Sequence, residues 1–331
     1  MHYDKGRYPN TPAHPRSGPQ TTPLYPQNLP FNTGMLEAGQ HRIYFEQCGK
    51  PNGLPVLFLH GGPGAGCAPS HRRLFHPDKF HSILFDQRGS GKSEPYASLE
   101  DNTTQHLIAD IEALRQHIGV DKFILFGGSW GSTLALAYAL AYPEHVSGLI
   151  LRGIFLGGRD EVDWFLYGMK KFYPEAHARF VAPLDDHEKT DILASYFHRL
   201  TASDHNEQIR AARHWTAYEN SCATLAAVQR EAGPAALSMA RIEAHYFAHD
   251  CFFEEGYILN NIERISHLPV RIIQGRHDVI CPPETALKLA DKWGAKAQIE
   301  LIDAAGHSAF EAGVVDALIH HLEDVADSQK G

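Results

Sequence analysis

The run Gly127-Gly128-Ser129-Trp130-Gly131 constrains this chain more than any other. It follows a short apolar stretch, Phe-Ile-Leu-Phe at 123–126, and precedes an Ala- and Leu-rich stretch, 132–142, closed by Pro143. A serine between glycines at that junction fits a sharp strand-to-helix turn, in which the glycines relieve crowding and the hydroxyl stands clear of the backbone. The following helix directs its positive end at any negative charge developing there. Ser129 is the candidate nucleophile.

The pattern on both sides of this turn repeats. Residues 41–47 have strand character, and short apolar runs bounded by turn residues recur at 55–60, 82–86, 123–126, 149–151, 270–274 and 298–302. Such runs read as strands buried on both faces. Amphipathic or Ala-rich helical stretches lie between them at 107–118, 132–142 and 314–325. Strands alternating with helices predict a mainly parallel sheet with helices on both faces. The alternation breaks between about Phe155 and Ile265, where Ala, His, Glu and Arg abound and aromatics fall at helical spacing. The fold class is therefore α/β: the α/β-hydrolase fold, a mostly parallel central sheet flanked by helices, with a helical cap inserted. The expected division is a Pro-rich, irregular N-terminal extension at 1–24, a catalytic core at 25–155 and 266–331, and a cap at 156–265.

With 331 residues the chain can bury a large core, and its net charge of −9 argues against nucleic acid or an anionic membrane as partner. No apolar run is long enough to span a bilayer, and the N-terminus lacks the hydrophobic stretch of a secretory signal. Five scattered cysteines without a C-x-x-C pair read as reduced thiols, so the expected location is cytoplasmic. Among 22 histidines no H-E-x-x-H or paired ligand spacing occurs, and no metal or other cofactor is expected. Monomer and homo-oligomer are both left open.

A serine hydroxyl needs a base at neutral pH, and the base needs an orienting acid. The chain order in this fold is Ser, then Asp or Glu, then His. His307, in Ala304-Ala305-Gly306-His307, follows the last strand and precedes the last helix, and Asp278, in Gly275-Arg276-His277-Asp278, follows the strand at 270–274. Asp303, Asp160 and Asp163 are the rival acids, and loop position favours Asp278. The oxyanion donors expected are the backbone N–H of Trp130 and, from His-Gly-Gly-Pro-Gly at 60–64, that of Gly62. Gly89-Ser90-Gly91-Lys92-Ser93 imitates the tail of a phosphate-binding loop, but Asp86 stands where the motif needs glycine. It reads as a structural turn beside the site. Cys67 and Cys281 lie in the oxyanion and acid loops, where a bulky mercurial could block the site without either thiol being catalytic.

With these motifs assembled, the chain resembles the prolyl aminopeptidases (proline iminopeptidases) from about Leu24 to its end. Gly-Gly-Ser-Trp-Gly-Ser-Thr-Leu at 127–134, Asp-Asn-Thr-Thr at 101–104, Leu-Arg-Gly-Ile-Phe at 151–155 and Ala-Arg-Ile-Glu at 240–243 carry the likeness. The resemblance implies a metal-free serine peptidase that removes N-terminal proline from peptides, with Ser129, Asp278 and His307 as its triad. It also implies that Glu219 and Glu243 bind the free amino terminus of the substrate. A cationic prolyl amine stripped of water needs anionic partners, and N-acylated peptides would be excluded. Departures fall mainly in the cap, at Tyr218, Ala244 and 168–174, and bear on pocket size and on tolerance for hydroxyproline or alanine. An esterase or lactonase on the same scaffold is the alternative enzyme. A non-catalytic binding protein would ordinarily have lost a triad member.

Overall fold

The computed structural model describes residues 23–226, 233 and 235–328. The extension expected at 1–24 therefore lies outside the described residues except for Pro23 and Leu24. Eight strands are present: β1 (Asn32–Ala38), β2 (His41–Gly49), β3 (Leu54–Leu59), β4 (Phe80–Phe85), β5 (Phe123–Ser129), β6 (Val146–Ile154), β7 (Val270–Gly275) and β8 (Ala297–Ile302). They form one sheet in the order β1-β2-β4-β3-β5-β6-β7-β8. β1 and β2 pair antiparallel, as do β2 and β4; every pair from β4 onward is parallel.

The parallel strands are buried on both faces because alternate side chains feed different cores. Val56 and Phe58 of β3 join Ile124 and Phe126 of β5 on one side, with Phe75 and Leu318. Leu57, Leu59, Phe123 and Leu125 face the other side, in a larger core that continues into Phe165, Trp215, Tyr218 and Phe247. This explains the near-continuous apolar runs.

Helices of eight or more residues are α1 (Thr104–Ile118), α2 (Trp130–Ala141), α3 (Pro174–Val181), α4 (Ile192–Leu200), α5 (His205–Cys222), α6 (Ala236–Ala248), α7 (Pro283–Trp293) and α8 (Ala312–Ser328). The Thr103 hydroxyl caps α1 by accepting from His106 N, and Gly119 ends that helix in a left-handed conformation. Between β6 and β7 the described residues contain helices and turns but no strand. Two elements escaped the sequence pattern. β1 is a half-exposed edge strand without an apolar run. In α7 only Ala286, Leu289 and Trp293 are buried.

The turn after β4 is held by a buried ion pair. Arg88 makes a bidentate contact with Asp110 of α1 at 2.7 and 2.8 Å, and its Nη1 donates to the Asp101 carbonyl at 2.8 Å. Removing one member of such a pair strands a buried charge. Arg88→Met should therefore lower unfolding free energy by about 3–5 kcal/mol in urea titrations, and a loss below about 1 kcal/mol would contradict this reading.

Candidate active site

Ser129 closes β5 with φ 57° and ψ −128°, a strained conformation for a residue with a side chain, and α2 begins at the next residue. Main chains crowd this turn. A Cβ on Gly131 would lie 2.1 Å from the Leu59 carbonyl oxygen, and one on Gly127 would lie 2.2 Å from that of Gly131. Both glycines are therefore steric requirements. Trp130 occupies the first position of α2, where a helix supplies no partner for its N–H. Its buried indole donates to Gln87 Oε1 at 2.9 Å and meets Tyr246 edge-on at 4.7 Å.

The loop after β3 lies against Ser129. A Cβ built on Gly61 would sit 3.4 Å from Ser129 Cβ and 4.0 Å from its Oγ; Gly62 follows with φ 104°. His60 anchors the loop: its Nε2 accepts from Gln87 N at 3.0 Å, and its carbonyl accepts from Gln87 Nε2 at 2.9 Å. Burial holds the His60 ring below the usual histidine range. The 86–93 turn is engaged with itself, with this loop, and with β2 and α1 through Ser93 and Arg88. Asp86 accepts from Cys67 N at 2.6 Å and from Lys92 N at 2.8 Å, and its carboxylate packs against Gly91. An anionic side chain thus occupies the hollow a phosphate would need.

The structure brings Asp278 and His307 together across the ends of β7 and β8. His307 Nδ1 donates to Asp278 Oδ2 at 2.8 Å, which leaves Nε2 as the acceptor nitrogen. Asp278 Oδ1 accepts from Ile280 N and Cys281 N at 3.0 and 2.8 Å, and Oδ2 from Gln274 Nε2 at 3.2 Å. The other aspartates go elsewhere: Asp303 is exposed and pairs with Arg276, Asp163 pairs with Arg159, and Asp160 is exposed.

Gly153, with φ 56°, brings the three residues into one neighbourhood. A Cβ there would stand 3.1 Å from His307 Cε1 and 3.3 Å from Asp278 Oδ2, and its neighbour Ile154 pairs with Ser129 across the sheet. Sequence reasoning missed this glycine, although a glycine ending an apolar strand is a recognisable sign of close approach. It also missed Arg152. That half-buried guanidinium donates from Nη1 to the His307 carbonyl at 2.6 Å and lies 3.2 Å from His307 Nε2, where its N–H competes for the lone pair that a serine proton would need. The Cys281 thiol interacts with the Ser129 side chain, and burial pushes it well above the usual thiol range. Cys67 is also pushed up by burial, so neither thiol is a ready nucleophile at neutral pH.

Glu219 and Glu243 lie on α5 and α6, buried in the aromatic core that those helices share with the sheet. Glu243 Oε2 accepts from Trp215 Nε1 at 2.6 Å, whereas Glu219 Oε2 has no partner. Burial raises Glu219 to about 8, and burial with the neighbouring Glu219 charge raises Glu243 well above the usual range. The rings of Phe165, Trp215 and Phe247 lie 5.6–6.2 Å apart, and Phe155 meets Phe247 at 5.9 Å. α6 reaches the chemistry at two points. Ser238 Oγ donates to the Gly64 carbonyl at 2.9 Å, and Tyr246 touches Trp130, with Glu243 between them along the helix. At the cap departures, Tyr218 stacks on Phe180 and donates to the Phe165 carbonyl at 3.0 Å, while Ala244 is buried.

A family model for the alpha/beta hydrolase fold matches residues 55–314. The fold and this site thus define an α/β hydrolase. A proline iminopeptidase of Xylella fastidiosa (strain Temecula1 / ATCC 700964) is 45% identical over 304 residues, which cover 89% of this chain and 97% of that one. One of Arabidopsis thaliana is 45% identical over 305 residues, or 89% of this chain and 80% of its own. The solved structure of a proline iminopeptidase from Mycobacterium smegmatis matches with a TM-score of 0.61 at 18% identity, covering 90% of this chain and 100% of that one; this likeness speaks for the fold. The chain belongs to the proline iminopeptidase family.

The buried carboxylates make stability depend on pH. Because the folded-state pKa of Glu219 is raised, folding is favoured below the unfolded carboxylate range and loses stability as pH climbs through about 8. Glu219→Gln should therefore melt higher than the parent at about pH 9, by at least roughly 2 °C, with the difference vanishing near about pH 5. Thermal denaturation at both pH values checks this, and an equal effect at both would refute it.

Proposed function

We propose that the protein is a serine aminopeptidase that releases N-terminal proline from peptides. The observation that carries the reading is the pair of buried carboxylates, Glu219 and Glu243, set in an aromatic core, with Glu243 on the helix that meets Trp130 and the β3 loop through Tyr246 and Ser238. Two acidic groups in an apolar cap are costly unless a cation arrives to offset them. A prolyl ammonium supplies that charge with two N–H donors. Its flat, apolar ring suits neighbours such as Phe155, Phe165, Trp215 and Phe247.

In this reading residues 156–265 act as the cap over a core formed by 25–155 and 266–331. His307 Nε2 takes the Ser129 proton while Oγ attacks the prolyl carbonyl, and the N–H groups of Trp130 and Gly62 hold the oxyanion. The imidazolium, steadied by Asp278, then gives its proton to the leaving amine. Water, activated in turn by His307, releases proline from the acyl-enzyme. Neither a metal nor a cofactor takes part. No described helix is long and apolar enough to cross a membrane. The five unbridged cysteines suit a reducing compartment, and on that ground we assign the enzyme to the cytoplasm.

Pro-naphthylamide should be hydrolysed and N-acetyl-Pro-naphthylamide should resist. Equal turnover of the two, with uncharged esters preferred, would favour an esterase instead. Ser129→Ala should abolish activity and fluorophosphonate labelling together. Glu243→Gln should lower kcat/KM on Pro-naphthylamide by about 100-fold or more, since a charge-assisted contact to the substrate amine is lost. A cationic substrate binds best when the glutamate pair has shed its proton, so kcat/KM should rise with pH toward about 8, the range to which Glu219 is raised. A profile falling between about pH 6 and pH 8 would contradict the assignment.

A further inference from the structure

The loop carrying His307 is not held by its own turn alone. Gly306 N donates to Glu311 Oε2 at 2.5 Å, and His307 N and Ser308 N both donate to the Ala223 carbonyl at 3.0 and 2.8 Å. Ala223 caps α5, one helical turn beyond Glu219. The other oxygen of Glu311, Oε1, accepts from Leu225 N at 2.9 Å. One carboxylate therefore bridges two segments far apart in sequence: the end of the helix that carries Glu219 and the loop that carries His307.

Glu311 immediately precedes α8, so capping that helix is the competing explanation. The main chain already serves α8, since the Glu311 carbonyl accepts from Val314 N and Val315 N at 2.9 Å each. Its carboxylate turns instead to Gly306 and Leu225. Carboxylate bonds to backbone N–H are charge-assisted and roughly twice as strong as neutral ones. Glutamine has a single acceptor oxygen and so could hold only one of the two segments securely.

We infer that Glu311 is a positioning residue that clamps α5 to the His307 loop and so fixes the span between the amino-terminus site and the general base. An aminopeptidase that removes one residue at a time needs that span set to a single residue's length. The clamp is its ruler, and the inference rests on the substrate reading given above.

The test compares two substrates, with rates expressed per active site titrated by a fluorophosphonate. Pro-naphthylamide is anchored through its amine, whereas p-nitrophenyl acetate is not. In Glu311→Ala, kcat on Pro-naphthylamide should fall about ten-fold or more, and that loss should exceed the loss on the acetate ester by about five-fold. Glu311→Gln should recover part of the rate. Equal losses on both substrates would mean that Glu311 only shapes the histidine loop and would overturn the proposal. A per-site kcat on Pro-naphthylamide within about two-fold of the parent would also overturn it, whatever happens to the melting temperature. Parent protein that cleaves the ester but not Pro-naphthylamide would sink the substrate reading itself, and that result is visible before any substitution is made.

Discussion

Ser129 carries a side chain at φ 57° and ψ −128°, and the surrounding sheet is arranged around that strained turn. The turn persists only because main chains close on it from several sides, at Leu59, Gly61 and Gly131. β5 lies between β3 and β6 in the sheet. The loop after β3 can therefore reach one side of the serine, and Gly153 near the end of β6 the other. β7 and β8 follow outward, and the loops after them bring Asp278 and then His307. Strand order thus sets the spatial order of Ser129, Asp278 and His307. That arrangement depends on a few backbone approaches that a single added Cβ would block.

Charge is buried in two different ways in this molecule. Arg88 and Asp110 are sealed in as a satisfied pair, and their contribution is structural. Glu219 and Glu243 are sealed in with like charge as neighbours and one oxygen unpartnered. Folding alone gains nothing from the second arrangement, which costs stability wherever the pair is ionised. Such an arrangement makes physical sense when a ligand brings the missing charge, which is the physical basis of the proposed recognition of a cationic substrate end.

The fold was legible because parallel strands buried on both faces leave uninterrupted apolar runs, whereas β1 and α7 were not. β1 is an edge strand whose Gly34 packs beneath the Phe45 ring, so its pattern depends on a partner strand. The neighbourhood of Ser129, Asp278 and His307 was legible from loop position. Gly61, Gly153 and Arg152 were not, because their importance arises from approaches between segments distant in sequence. The glutamates held a signal that local reading passed over. Glu219 falls in the buried stripe of Ala212, Trp215, Tyr218 and Cys222, and Glu243 in that of Ala240, Tyr246 and Phe247. A carboxylate within an apolar stripe is costly, and that cost is the mark of function.

The helices between β6 and β7 are also anchored beside Ser129 and His307. α6 meets the core at Gly64 and Trp130, and the end of α5 meets it at His307 and Ser308. These contacts fall on the β3 loop, on the residue after Ser129 and on the His307 loop. On the proposed assignments, a shift of α5 and α6 relative to the sheet would therefore disturb the β3 loop and His307 together with Glu219 and Glu243. If those assignments hold, specificity and catalysis share the same contacts, and substitutions on α5 and α6 are expected to change kcat as readily as KM.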